Sequence, residues 1–432
     1  MKFLIDWVEN GENACAEERA TLCYLQILVE DENACAFYDV SEGRYFEHLF
    51  IPVVHLAEGI ASGWWKIFGG RDRYFSIFPY RNGFALPDLK FRFDGSTFEI
   101  MGSQFSSVNP KIKFWHTESD MERSTAESAL SEFVDKVVEK LSSEGIQKTE
   151  VESRWSHIAY SRNNPDEQFF CEAAGTIGAD PYMISDSDAR LIELANNRFS
   201  GEVLIEFLAG VREAKSRFSS NLHAAGEREL EWINYAESRQ PYQFQLSVLD
   251  ELANDLKSQS QRISSERTWS QGYRMARLFR ERLSLDFLNG STSIRSLPEM
   301  LGNRYFRRAS GMAATRAVVS RTDGGKTGIH LRKRGRKKWE HLSEEFAFAR
   351  ALGDAVCFPD DEISIVNELK SAERQAVGRA FAAELLAPIE IILDMRDSGK
   401  DVGEIADSLA VSPLTVTHQI ENKDRIESAC AA

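Results

Sequence analysis

The spacing of apolar side chains changes part-way along the chain, and that change narrows the folds open to it. Over about the first 120 residues they alternate in short runs. Leu22 to Val29 and Ala34 to Tyr38 flank Asp31, Glu32 and Asn33, and Phe91 to Ile100 is divided by Asp94-Gly95. Alternation broken by turn residues marks paired strands with one face buried. One amphipathic helix, Val53 to Phe68, is expected between them. From Ser124 the period becomes three and four: Ala126, Ala129, Leu130, Phe133, Val134, Val137, Val138 and Leu141 form one stripe, opened by a capping-box pattern at Ser124 and Glu127. Residues 142–168 are polar, contain Asn163-Asn164-Pro165 and read as a linker, after which Phe169 to Phe287 is helical in pattern with breaks at Asp180-Pro181 and Pro241. The expectation is an α+β protein in three parts: a strand-rich α+β domain over 1–150, a helical middle region over 165–260 and a C-terminal domain over 261–432. A chain of 432 residues has room for two to four domains.

Several classes are disfavoured at once. Met1 to Glu18 lacks a continuous apolar core and turns acidic within ten residues, unlike an export signal. No apolar run reaches the ~18 residues of a membrane span, so no membrane partner is expected. The six cysteines are scattered without a Cys-x-x-Cys pair, which suits reduced thiols and a cytoplasmic location.

Charge is segregated. Residues 1–50 hold 11 acidic against 3 basic side chains, whereas Arg304 to Lys338 holds twelve basic residues against Asp323 alone. The net −15 of the chain is therefore +11 in that segment against −26 elsewhere. The segment, with Arg332, Lys333, Arg334, Arg336, Lys337 and Lys338 at its densest point, is a candidate contact for nucleic acid or a nucleotide, for an acidic protein face, or for solvent alone. Asp323 to Gly328 lacks the spacing of a phosphate-binding loop and reads as a turn between strands 317–321 and 329–333. Val402 to Ile420 has the cadence of a helix-turn-helix, but its second helix offers Thr415, Thr417, His418 and Gln419 without Arg or Lys. Packing suits it better than groove reading.

The last quarter carries the most specific signal. Arg379-Ala-Phe-Ala-Ala-Glu-Leu-Leu-Ala-Pro388, followed by Ile405 to Val416, resembles the ImmA/IrrE family of bacterial zinc metallopeptidases. Gln271 to Arg280 is similar to the helix that often opens that domain, and Cys171 to Tyr182 to a helical region of longer members. The resemblance implies a zincin-like fold and a helix bearing His-Glu-x-x-His, two zinc ligands one turn apart with a general base between them. The corresponding stretch is Phe346-Ala-Phe-Ala-Arg-Ala-Leu-Gly-Asp354, where Arg350 and Asp354 replace both His and Ala351 replaces Glu. Gln375 or Val377 stands near the expected acidic ligand, and Glu373 is the nearest acid. Arginine stays protonated and alanine cannot activate water, so no catalytic residue and no cofactor is expected. An Arg350–Asp354 ion pair is expected in place of the metal. A rescued zinc site would have to draw on His330, His341, Asp354 and Glu373, which lack a recognised spacing.

The resemblance implies bacterial regulation, stress response or phage defence. The expected role is that of an inactive regulatory, sensor or adaptor protein with a protein partner, Arg350 serving as an anchor in the former substrate cleft. An active zinc metallopeptidase with a displaced site and a DNA-binding transcription regulator remain alternatives. Chelator sensitivity would reveal the first and a steep salt dependence the second.

Overall fold

A computed structural model describes residues 1–9, 15–71, 73–103, 111–218, 221–238, 269–283, 308–309, 315–321, 327–332, 338–368 and 373–423. The chain divides into two compact units, Met1–Glu193 and Leu194–Ala432. The described architecture is mixed, with a strand-rich N-terminal part and a mainly helical remainder.

The first unit is built from β1 (Lys2–Trp7), α1 (Ala16–Ala20), β2 (Leu22–Val29), β3 (Glu32–Asn33), β4 (Phe37–Asp39), β5 (Arg44–Phe46), β6 (Leu49–Pro52) and α2 (Val54–Gly69). It continues through β7 (Phe75–Ser76), a 3₁₀ turn at Phe78–Arg81, β8 (Leu89–Phe93), β9 (Thr97–Gly102), β10 (Ile112–Phe114) and β11 (Thr117–Glu122). It closes with α3 (Arg123–Ser143), α4 (Glu150–Arg162), α5 (Pro165–Ile177) and α6 (Asp186–Asn196), within which the boundary falls. Three antiparallel sheets result. β2 pairs with β1, β3 and β6; β4 lies between β10 and β5; and β11-β9-β8-β7 form the third. The expected hairpin at Asp94-Gly95 is β8–β9, and the Asp94 carboxylate accepts from the Ser96 and Thr97 amides at 2.9 and 2.8 Å.

The helix read as amphipathic is buried nearly all round. Leu56, Ile60, Trp64 and Phe68 on α2 lie at the centre of the first core, and a helix apolar on every side belongs in an interior. Two other expectations change. Helix α3 forms with its stripe buried apart from half-buried Val138, but Glu122 is its N-cap without a side-chain capping bond, and Glu127 is held by Arg123 at 2.7 Å instead of completing a box. Residues 142–168 are mostly helix rather than linker: Val151, Trp155 and Ile158 recur at three and four and are buried, so the polar residues there are only the solvent face of α4. Asn164 breaks the chain between helices and caps α5. Cys171, at the start of the stretch Cys171–Tyr182, packs in this first core.

The second unit contains α7 (Gly201–Phe218), α8 (Leu222–Ser238), α9 (Trp269–Arg282), β12 (Arg308–Ala309), β13 (Ala317–Arg321), β14 (Thr327–Arg332), α10 (Lys338–Cys357), β15 (Ile363–Val366) and α11 (Glu373–Leu386). It ends in α12 (Ile389–Asp397), α13 (Val402–Leu409) and α14 (Pro413–Glu421). Its sheet has the order β12-β14-β13-β15, in which the expected β13–β14 hairpin is antiparallel and β12 runs parallel to β14. Helices α9, α10 and α11 pack through glycine. A Cβ at Gly272 would collide with the Val377 carbonyl, and one at Gly353 with the Phe381 ring, so both contacts need the missing side chain. No described helix is long and apolar enough to cross a membrane.

Candidate functional site

Helix α10 puts Arg350, Ala351 and Asp354 within one turn, and all three are buried. Helix α11 starts with Glu373, Arg374 and Gln375; β15 brings Ser364, with Asn367 just beyond it; and α7 contributes Glu206. Of these, Arg350, Asp354, Ser364, Asn367, Arg374, Gln375 and Glu206 form one buried polar network. The amide of Gln375 is saturated: its Oε1 accepts from Arg350 Nη2 at 2.6 Å and from the Asn367 amide at 3.1 Å, while its Nε2 donates to the Ile365 carbonyl at 2.8 Å and to Glu206 Oε2 at 3.2 Å.

Arg350 and Asp354 do not pair with each other. Arg374 reaches across from α11 and clasps Asp354 with both Nε and Nη2 at 2.7 Å, while the Ser364 hydroxyl donates to the same carboxylate. Arg350 turns instead to the Asn367 carbonyl at 2.7 Å and to Gln375. The expected Arg350–Asp354 pair is therefore replaced by a bidentate Arg374–Asp354 pair, two parallel charge-assisted bonds from the facing helix. Nor is Arg350 an anchor in an open cleft, being only 6% exposed.

Charge inside the network is unevenly compensated. Arg374 also bonds Asp361 and lies 4.0 Å from Glu206, and these carboxylates hold its charge against burial. Arg350 touches no carboxylate directly; burial, and secondarily Arg379, lower its pKa to about 9. Burial raises Glu206 to about 8, with Arg374 opposing and Asp354 and Glu202 adding to the rise. Glu206 Oε1 and Arg350 Nε have no hydrogen-bond partner among the described residues.

Glu373 is half-buried at the start of α11, and His330 is buried on β14; the side chain of His341 lies outside the described residues. Among the described residues no three His, Cys, Asp or Glu side chains are grouped as metal ligands. In the basic segment, Arg316 pairs with Glu368, Arg321 donates to the carbonyls of Asp361 and Ala355, and Arg332 is buried. These three are turned inward rather than offered as contacts. Lys338 opens α10, and Arg304, Arg307, Lys326, Lys333, Arg334, Arg336 and Lys337 lie outside the described residues.

A second buried carboxylate ties the terminal helices to this body. Glu384, on α11, accepts from Arg277 Nε at 2.9 Å, the Ile389 amide at 3.2 Å and Gln419 Nε2 at 3.1 Å. Gln419 was one of the side chains available to a groove-reading helix; it is buried and also donates to the Ala387 carbonyl. The turn at Ala410 adopts the left-handed conformation, and Asp401 and Glu404 form a full capping box on α13.

Glu206 and Arg374 belong to no motif, and Glu384 lies within Arg379–Pro388 without a role of its own being read there. Glu206 had a signal, a lone carboxylate inside the apolar run Val203-Leu-Ile-Glu-Phe-Leu208, since an isolated acid on a buried face must be compensated elsewhere. Comparison with family models, curated proteins and solved structures finds no match.

Proposed function

We propose that the second unit is a degenerate, zincin-like domain of ImmA/IrrE type that has given up hydrolysis and acts as a regulatory, sensor or adaptor module. One observation carries this reading. Position 375 on α11 bonds position 350 on α10 at 2.6 Å, so the place that the resemblance gives to a histidine ligand neighbours one of the two places, 375 or 377, near which it expects the downstream acid. They hold an arginine and an amide. The Arg374–Asp354 clasp occupies the other histidine position, and Ala351 offers no base. An interior filled by mutually bonded side chains suits a scaffold that binds a protein partner on its outside, in bacterial stress response or phage defence.

The test is metal content and peptide cleavage by the purified full chain. Substoichiometric zinc and no chelator-sensitive cleavage are expected. The quadruple change R350H/A351E/D354H/Q375E should raise zinc uptake over the native protein. Stoichiometric zinc in the native chain, with cleavage abolished by a chelator, would overturn the reading.

A further inference from the structure

The first unit contains a cleft that the reading above does not use. It measures about 310 Å³, at the small end for ligand sites, and is lined among others by His55, Glu58, Tyr80, Glu150 and Arg154. Its cations are already committed. His55 sets Nε2 2.9 Å from Glu18 and Nδ1 3.1 Å from Glu58; carboxylates only accept, so the doubly protonated ring is the form that suits both. Arg154 gives both Nη groups to Asp180, at 2.8 and 2.6 Å. Its carboxylates are not. No side-chain hydrogen bond or ion pair holds Glu150 among the described residues, and Glu58 shares a single histidine with Glu18. Burial, then Glu17 and Glu150, push the Glu58 carboxyl up against the opposing pull of His55, the sign of a cleft short of positive charge.

One wall is apolar and fixed. The Tyr80 ring lies against Gly59, where any Cβ would strike it, and stacks on Phe75 at 5.8 Å, with Pro79 and Val151 beside it. We propose that this cleft binds an organic cation, a primary ammonium or guanidinium on an apolar stem, with its charge between Glu58 and Glu150 and its stem along Tyr80. A bare metal ion fits less well, because no three ligating side chains converge among the described residues. A free amine and the side chain of a lysine or arginine share this chemistry.

Isothermal titration of the full chain at low salt separates the sources. Agmatine and spermidine serve as free amines, and Nα-acetyl-arginine and Nα-acetyl-lysine methylamides as capped side chains. Saturable binding is expected from at least one set, and the set that binds identifies the source. Glu150→Gln, whose carboxylate makes no side-chain hydrogen bond or ion pair among the described residues and faces only the N-terminal turn of α4, and Glu58→Gln should each weaken that binding about tenfold, the effect of one charge-assisted bond. No saturable binding by either set, or native affinity in the Glu150→Gln protein, would overturn the proposal.

Discussion

Two acidic sites in this chain use similar side chains in opposite ways. In the α10–α11 network, Asp354 is buried with both oxygens held by Arg374, and Glu206 is buried with one oxygen bonded to Gln375. In the cleft beside α2, Glu58 and Glu150 border open space; Glu58 shares His55 with Glu18, and Arg154 is engaged by Asp180. Burial decides what each can do. A buried charge must be compensated within the fold and then has little left for a ligand, whereas a half-buried one such as Glu58, or an exposed one such as Glu150, can keep its capacity because water tolerates the vacancy. The sealed network has little left for a ligand, and the open cleft has room for one.

The largest expected effect would break the sealed network. Asp354→Ala removes the carboxylate clasped by Arg374 and leaves a buried guanidinium with only Asp361 and a distant Glu206, at a cost of roughly 3–5 kcal/mol. Urea denaturation followed by a probe within the second unit should show it. A loss as small as that of a surface substitution would mean that the clasp is not buried as described.

Next comes Glu206. Its folded pKa is about 8 against the ordinary 4.5, so the folded state retains a proton that the unfolded chain has lost between those values. Its contribution is complete below about pH 4.5 and is lost as pH rises through about 8. Glu206→Gln should remove this slope and stabilise the second unit at pH 8 by on the order of 1–3 kcal/mol. Equal pH dependence in native and variant proteins would place the titration elsewhere. Arg350→Met should matter less: the side chain lost is a cation without a direct carboxylate partner, and an apolar chain of similar length offsets the two bonds removed to within roughly 1 kcal/mol. A penalty matching that of Asp354→Ala would show Arg350 to be the centre of the network.

The sequence exposed these regions unequally. Period-two runs, the Asp94-Gly95 turn, the α3 stripe and the cadence of α13–α14 were legible because each is a local pattern of residues that neighbour one another in the chain. Arg350 and Asp354 are one helical turn apart in the sequence and lie on one helix, but their partners were not legible. Arg374 reaches Asp354 from the next helix and Glu206 meets Gln375 across 169 positions, and no local spacing encodes either. The helix spacing of Arg350 and Asp354 suggested an ion pair by proximity, and a better-aligned fork displaced it. In the cleft, Glu18, His55 and Asn82 come together from three segments, and each alone looks like a surface residue.

The smallest effect sharpens the cleft side of the comparison. Burial works against the charge on His55, yet bonds to Glu18 and Glu58 raise its pKa above the ordinary histidine value. A raised histidine contributes stability that is complete below the unfolded value of about 6.5 and is lost as pH rises through the folded one. The groups facing it are Glu18 from α1 and Glu58 from its own helix, with Asn82 sharing Glu18 at 2.7 Å. His55→Gln keeps a polar side chain but no titrating charge, so it should flatten this part of the pH profile and leave that of Glu206 unchanged. Because the ring is partly open to water, the shift in denaturation midpoint should be well below that of Asp354→Ala. A large loss at all pH values would instead make His55 a packing residue, and the cleft would then depend on the core rather than on its own charges.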